Sequence, residues 1–172
     1  FVLPFGFLLS GFTLLVAYLG EINPQITPLM PVLLSPWLSI HVSLIMIAYA
    51  LYAYIFLNGI LALCLRHRPE QVERLMLFSK LMSYPATLFL GVGIFIGSVW
   101  ANVSWGNYWS WDSKEVWALI TFMIYGVAFH GTSVPWMRKP IHYHIYMVLA
   151  FLSVLMTYVG VNYFLTGMHS YA

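Results

Sequence analysis

Between Trp37 and Leu65 the chain runs through 29 consecutive residues without one Asp, Glu, Lys or Arg. About 20 such residues cross the ~30 Å hydrocarbon layer of a bilayer as a helix. A helix also satisfies its own backbone donors and acceptors, which water cannot do there. The rest of the chain obeys the same constraint: 62% of its 172 residues are hydrophobic and 7% charged, with a mean hydropathy of +0.85. That composition excludes an ordinary soluble domain. The length predicts an all-α, polytopic transmembrane helix bundle of about five spans, a single domain covering 1–172. A formal charge of +2 gives no reason to expect nucleic acid. The single Cys64 excludes an internal disulfide, a Cys-x-x-Cys redox pair and covalent haem attachment within the chain; it is expected to pack in a helix.

Spans are predicted at about 1–19, 37–65, 75–99, 114–133 and 141–164. Pro24, Pro28, Pro31 and Pro36 break the first connection into a loop lying against the membrane, and Pro85 is expected to bend the third span. The first residue is Phe1, with no basic flank before the apolar run, and the reading is of a helix from a longer or processed chain. Arg66, Arg68, Arg74, Lys80, Arg138 and Lys139 fall in one set of turns, which the positive-inside tendency assigns to the cytoplasm. The proline-rich loop, a loop at about 100–113 and the C-terminal tail then face the other side, the periplasm in a bacterium.

That loop carries four tryptophans and a tyrosine within the thirteen residues from Trp105 to Trp117. Two readings stand side by side. Large rigid faces with a polar edge hold a flat, greasy ligand, and an aromatic belt anchors helix ends in the headgroup region.

Six histidines in so apolar a chain need an account, and imidazole is the usual protein ligand of haem iron. His41, at the start of the second span, and His169, in the tail, share the membrane level of the tryptophan loop. Two imidazoles from opposite sides would ligate an iron axially; a lone histidine is more often an interfacial hydrogen-bonding group. His130 comes sixteen residues into the fourth span, roughly 24 Å deeper, as an inner-site ligand or as a marker of the helix end. His67, His142 and His144 are expected to be solvated or interfacial. Glu115 is expected first to cap the fourth helix.

The segments Ser35-Pro36-Trp37-Leu38-Ser39-Ile40-His41-Val42, Val99-Trp100-Ala101-Asn102 with the tryptophan run, Ala118-Leu119-Ile120-Thr121 leading to His130, and Thr157-Tyr158-Val159-Gly160-Val161-Asn162 leading to Gly167-Met168-His169-Ser170-Tyr171-Ala172 resemble the CcsA (ResC) family. This family supplies the membrane component of the system II cytochrome c synthase, often fused as CcsBA. The tryptophan run alone is shared with the haem-handling CcmC and CcmF; the first-histidine and tail segments favour CcsA, and the likeness covers essentially the whole chain in order.

The resemblance implies a WWD-type, haem-handling domain in the bacterial inner membrane. It implies haem b as substrate and bound ligand, with His41 and His169 as axial ligands of its iron, His130 as an intramembrane ligand, and Trp105, Gly106, Tyr108, Trp109, Trp111 and Asp112 around the macrocycle. Implied partners are an apocytochrome c carrying Cys-x-x-Cys-His, a CcsB/ResB-like protein or fused N-terminal segment, and membrane lipid. The implied activity is that of a holocytochrome c synthase (haem lyase) component that also moves haem outward, with no catalytic residue assigned beyond the haem ligands. Two departures stand out. Ser113 occupies a position where the family usually has proline, and the family's other intramembrane histidine belongs to a segment absent from these 172 residues. The chain is therefore expected to be the C-terminal core of a longer protein, inactive by itself. The rival readings are a cytochrome b-like electron-transfer subunit with an intramembrane bis-histidine haem, using His130 with His144, and a structural subunit whose aromatics pack against a partner.

Overall fold

A computed structural model describes residues 2–19, 34–131 and 133–165. Its regular structure in these segments is helical, and three of the helices are long and apolar enough to cross a membrane. Helix α1 (Val2–Leu19) belongs to one unit and everything from Ser35 onward to another. In α1, Leu3, Phe7, Leu8, Leu14 and Leu15 are exposed, the surface expected of a helix whose solvent is lipid.

The second unit is built on α2 (Pro36–Cys64) and α3 (Pro69–Trp105), its most extensively packed pair. Each starts with proline at its first position, where the missing N–H costs no helical bond. Helix α3 is 37 residues long and exceeds the apolar run at both ends. It takes in the polar stretch from Pro69 to Arg74, and it carries the aromatic run as far as Trp105. It continues through Pro85 without interruption; neighbouring helices in a membrane bundle make the loss of one donor tolerable. Helices α4 (Ser113–Val127) and α5 (Pro140–Leu155) complete the core, and a π-helical turn, Met156–Gly160, leads α5 into α6 (Val161–Phe164).

The core sits where α2, α3, α4 and α5 meet. Tyr52 of α2 stacks on Tyr125 of α4 with ring centroids 3.6 Å apart, and its hydroxyl lies 3.0 Å from Thr87 Oγ1 on α3. Leu90, Met147 and Val154 close around them. The antiparallel register of α2 and α3 is readable from its contacts: His41 meets Gly93 and Gly97, Ile45 meets Gly93, and Tyr52 meets Thr87. Each step down α2 is a step up α3.

Two residues depart from the sequence reading. His144, expected at an interface, is completely buried, with Nε2 3.2 Å from the Val72 carbonyl oxygen. It lies on the packed face of α5 with Tyr143, Met147 and Ala150, and the hydrogen bond from α5 to α3 offsets part of the desolvation cost. Cys64, expected to pack, is the last residue of α2 and exposed. His67 and His142 behave as expected: the first is exposed, and the second stacks on Trp136 and bonds the Trp136 carbonyl.

Candidate haem-facing site

His41 sits on the second turn of α2 with its Nδ1 2.7 Å from the Gly93 carbonyl oxygen of α3. A carbonyl oxygen only accepts, so Nδ1 carries a proton and donates, and in the neutral ring the lone pair is then on Nε2. Metal-binding histidines are commonly held in this way, one ring nitrogen anchored and the other committed to the metal.

From Gly97, level with His41, α3 continues for two turns into the aromatic run. Trp100 is buried and meets Trp105 edge-on, with centroids 4.7 Å apart. The helix stops at Gly106, which has φ +81° and donates its N–H to the Asn102 carbonyl at 2.9 Å. Glycine adopts this left-handed geometry without a steric penalty. Beyond it Tyr108 and Trp111 are 60% and 72% exposed, and Trp109 lies edge-on to Trp111 with centroids 6.0 Å apart.

Trp111 is the one described non-glycine residue with positive φ, at 59°, a strained geometry for a bulky side chain. What holds it is a single carboxylate. Glu115 Oε2 accepts from the Ser110 backbone N–H at 2.8 Å and from the Asp112 backbone N–H at 3.2 Å, pinning the peptide on either side of Trp111. Asp112 in turn caps α4, accepting from Lys114 N at 3.2 Å, and the two acidic residues form a reciprocal capping box. The capping role expected of Glu115 is thus present and extends back to Ser110. The start of α4 is tied to the end of the chain's last arm: Lys114 Nζ donates to Asn162 Oδ1 at 2.8 Å, and Thr121 Oγ1 lies 2.9 Å from Thr157 Oγ1 in the π-helical turn.

The arrangement brings His41, Trp105, Gly106, Tyr108, Trp109, Trp111 and Asp112 to one end of the bundle. His130 is not with them. It closes a short 3-10 turn after α4, exposed, roughly 25 Å along the helix axis from the loop. His169 lies outside the described residues; Asn162 precedes it by seven positions. His144, the partner that an intramembrane bis-histidine site would need, has its Nε2 engaged with Val72. Among the described residues no three His, Cys, Asp or Glu side chains group closely enough to hold a metal ion. A porphyrin iron needs one donor per face, so an imidazole at the same end of the bundle as exposed aromatic faces suits haem.

Comparison with known proteins decides the family. The profile described as Cytochrome C assembly protein matches residues 1–169. The chain belongs to the cytochrome c assembly family. Among its relatives, Protein NrfI of Wolinella succinogenes is 36% identical over 184 residues, an alignment covering 100% of this chain and 20% of that protein. Cytochrome c biogenesis protein CcsA of Chlamydomonas reinhardtii is 38% identical over 157 residues, covering 86% of this chain and 44% of that one. Its counterpart in Parasynechococcus marenigrum is 36% identical over 180 residues, covering 84% and 58%. The chain therefore spans a fifth to somewhat over half of these cytochrome c assembly proteins, and it carries the tryptophan run and the first histidine within that part.

Sequence reasoning missed Gly93, whose carbonyl takes the His41 proton, together with Gly97, Ser110 and the Lys114–Asn162 link. A signal for the first two was present: Gly93 and Gly97 stand four apart in α3, the small-x-x-x-small spacing that lets membrane helices approach closely.

Proposed function

We propose that this domain binds haem b on the tryptophan-loop side of the membrane and presents it to an apocytochrome c for covalent attachment, as part of a system II holocytochrome c synthase. The observation that carries the reading is the pairing of an anchored imidazole, His41, with a loop whose exposed Trp111 is clamped by Glu115. An aromatic belt that merely anchors helix ends needs no strained, clamped tryptophan. In this reading His41 and His169 bind the iron from its two faces, and Trp105, Gly106, Tyr108, Trp109, Trp111 and Asp112 surround the macrocycle while leaving its vinyl groups accessible.

The client's two cysteines then add to the vinyls. Each S–H adds across a C=C bond: a C–S bond forms, the proton ends on carbon, and no electron acceptor is consumed. The client's own histidine replaces one ligand of the domain, so bonds to His41 or His169 break as the product's bond forms. Release is built into that exchange.

The basic residues at the opposite end, Arg66, Arg68, Arg74, Arg138 and Lys139, favour a cytoplasmic location for that end and a periplasmic one for the loop, in a bacterial inner membrane. Outward movement of haem from an inner site at His130 follows from the family likeness. A shallow, open apolar depression lined by Leu88, Gly91, Val92, Phe95, Phe122 and Phe129 lies between the levels of His130 and the loop. A CcsB/ResB-like partner or fused segment would complete the inner site.

The test is the visible spectrum of the detergent-purified protein, wild type beside His41→Ala and His169→Ala, with and without imidazole and with haem quantified as its pyridine complex. Loss of the low-spin spectrum in both variants, restored by imidazole, is the expected result. Unchanged low-spin haem in both would move the site to His130 and favour an electron-transfer subunit. Haem absent from every sample would favour the structural reading.

A further inference from the structure

The seat of His41 is cut into α3 at two glycines. Gly93 and Gly97 lie on one face of the helix, one turn apart, against α2. A Cβ on Gly97 would stand 2.6 Å from both Cε1 and Nδ1 of His41, closer than carbon atoms pack, so no side chain other than hydrogen leaves room for the imidazole. The ring has little means of yielding. It is rigid, and its Nδ1 is held at 2.7 Å by the Gly93 carbonyl. A Cβ on Gly93 would meet other side chains of α2 and not the imidazole: Ile45 Cδ1 at 2.7 Å and Cγ1 at 3.2 Å, and Leu44 Cβ at 3.5 Å.

We infer that Gly93 and Gly97 are positioning residues for the His41 ring: the gap at Gly97 seats it, and the Gly93 carbonyl holds its proton on Nδ1, which commits Nε2 to the iron. This rests on the haem-presenting reading above, and it adds what that reading lacks, a reason why one tautomer is populated before any haem arrives. Without the seat the ring would divide between tautomers and orientations, and part of the binding energy would go into selecting one of them. The two glycines also let α2 and α3 approach closely where His41 sits. Backbone accepts directly from the histidine of the neighbouring helix, a distance that a pair of ordinary side chains would prevent.

The test separates the seat from the ligand. Ring nitrogen chemical shifts of His41 are read by NMR in haem-free, 15N-histidine-labelled protein and assigned by subtraction of the His41→Ala spectrum. Haem retention and the low-spin spectrum are measured on the same variants after reconstitution. The expected wild-type result is a single tautomer with the proton on Nδ1. Gly97→Ala should lose that tautomer and retain about tenfold less haem, the usual scale for removing an outer-shell support of a metal ligand, with the low-spin spectrum restored by imidazole. Gly126→Ala on α4, where a Cβ would meet nothing within 4 Å, is the control and should match wild type in both measurements.

Should Gly97→Ala fold poorly, the double variant His41→Ala/Gly97→Ala answers instead. With the ring removed the new methyl has space, so folded yield should return to that of His41→Ala alone; no recovery would overturn the seat. A wild-type proton on Nε2, or an unchanged tautomer and haem content in Gly97→Ala, would overturn it as well. The expected tautomers together with low-spin haem that survives His41→Ala would overturn the ligand reading and leave the seat standing.

Discussion

A single carboxylate decides the shape of the tryptophan loop. Glu115 accepts from the amides of Ser110 and Asp112, so the strained φ of Trp111 is held from both sides. Glu115→Ala should cost about 0.5–2 kcal/mol, the scale of a lost helix cap, and Glu115→Gln, which keeps one acceptor oxygen, should cost about half as much; thermal unfolding in detergent checks both. If the clamp serves haem, retention should fall in the same order, and retention that is equal in all three proteins would count against it. This much was partly legible. A capping role for Glu115 was expected, whereas the third span was expected to end near Val99 and in fact runs on to Trp105. That the same carboxylate would reach back to Ser110 depends on the path of the loop, which no local propensity encodes.

The elements of the bundle were easier to read than their faces. Apolar runs located the long helices because helix is the one open-chain structure that survives in lipid. In lipid, however, both the inward and the outward faces are apolar, so hydropathy says little about which side of a helix is buried. That is why His144 was assigned to an interface although it is completely buried, and why Gly59 gave no sign of its role. A Cβ on Gly59 would lie 2.8 Å from Val148 Cγ2 and 3.3 Å from the His144 carbonyl oxygen. The branched side chain of Val148 is stiff, so Gly59→Ala should destabilise the α2–α5 contact by about 1–3 kcal/mol. Adding Val148→Ala should recover part of that loss, since the two sites share one space. Stabilities of the two single variants and the double variant, measured in the same detergent, test it; strictly additive losses would show that the helices are not in contact there.

At the scale of the molecule, the orientation in the membrane carries the proposal, because haem presented on the wrong side meets no client. Cys64 is exposed at the end of α2, away from the loop, and Ser110 is exposed within it. A membrane-impermeant maleimide applied to spheroplasts should therefore label a Ser110→Cys, Cys64→Ser variant without permeabilisation and the native Cys64 only after it. The reverse pattern would invert the proposed topology. Membrane location, all-helical class, the aromatic loop and the assembly family were all determined by the sequence alone, because each rests on local chemistry: uncharged runs of spanning length, turn and cap residues, and side chains that occur together in one motif. The tertiary structure alone decided the acceptor His41 meets at Gly93, the gap at Gly97, the clamp on Trp111, the burial of His144 and the tie from Lys114 to Asn162. Each of these depends on which faces of distant helices meet, and in a chain whose every face is apolar that is settled by close packing and a few buried hydrogen bonds.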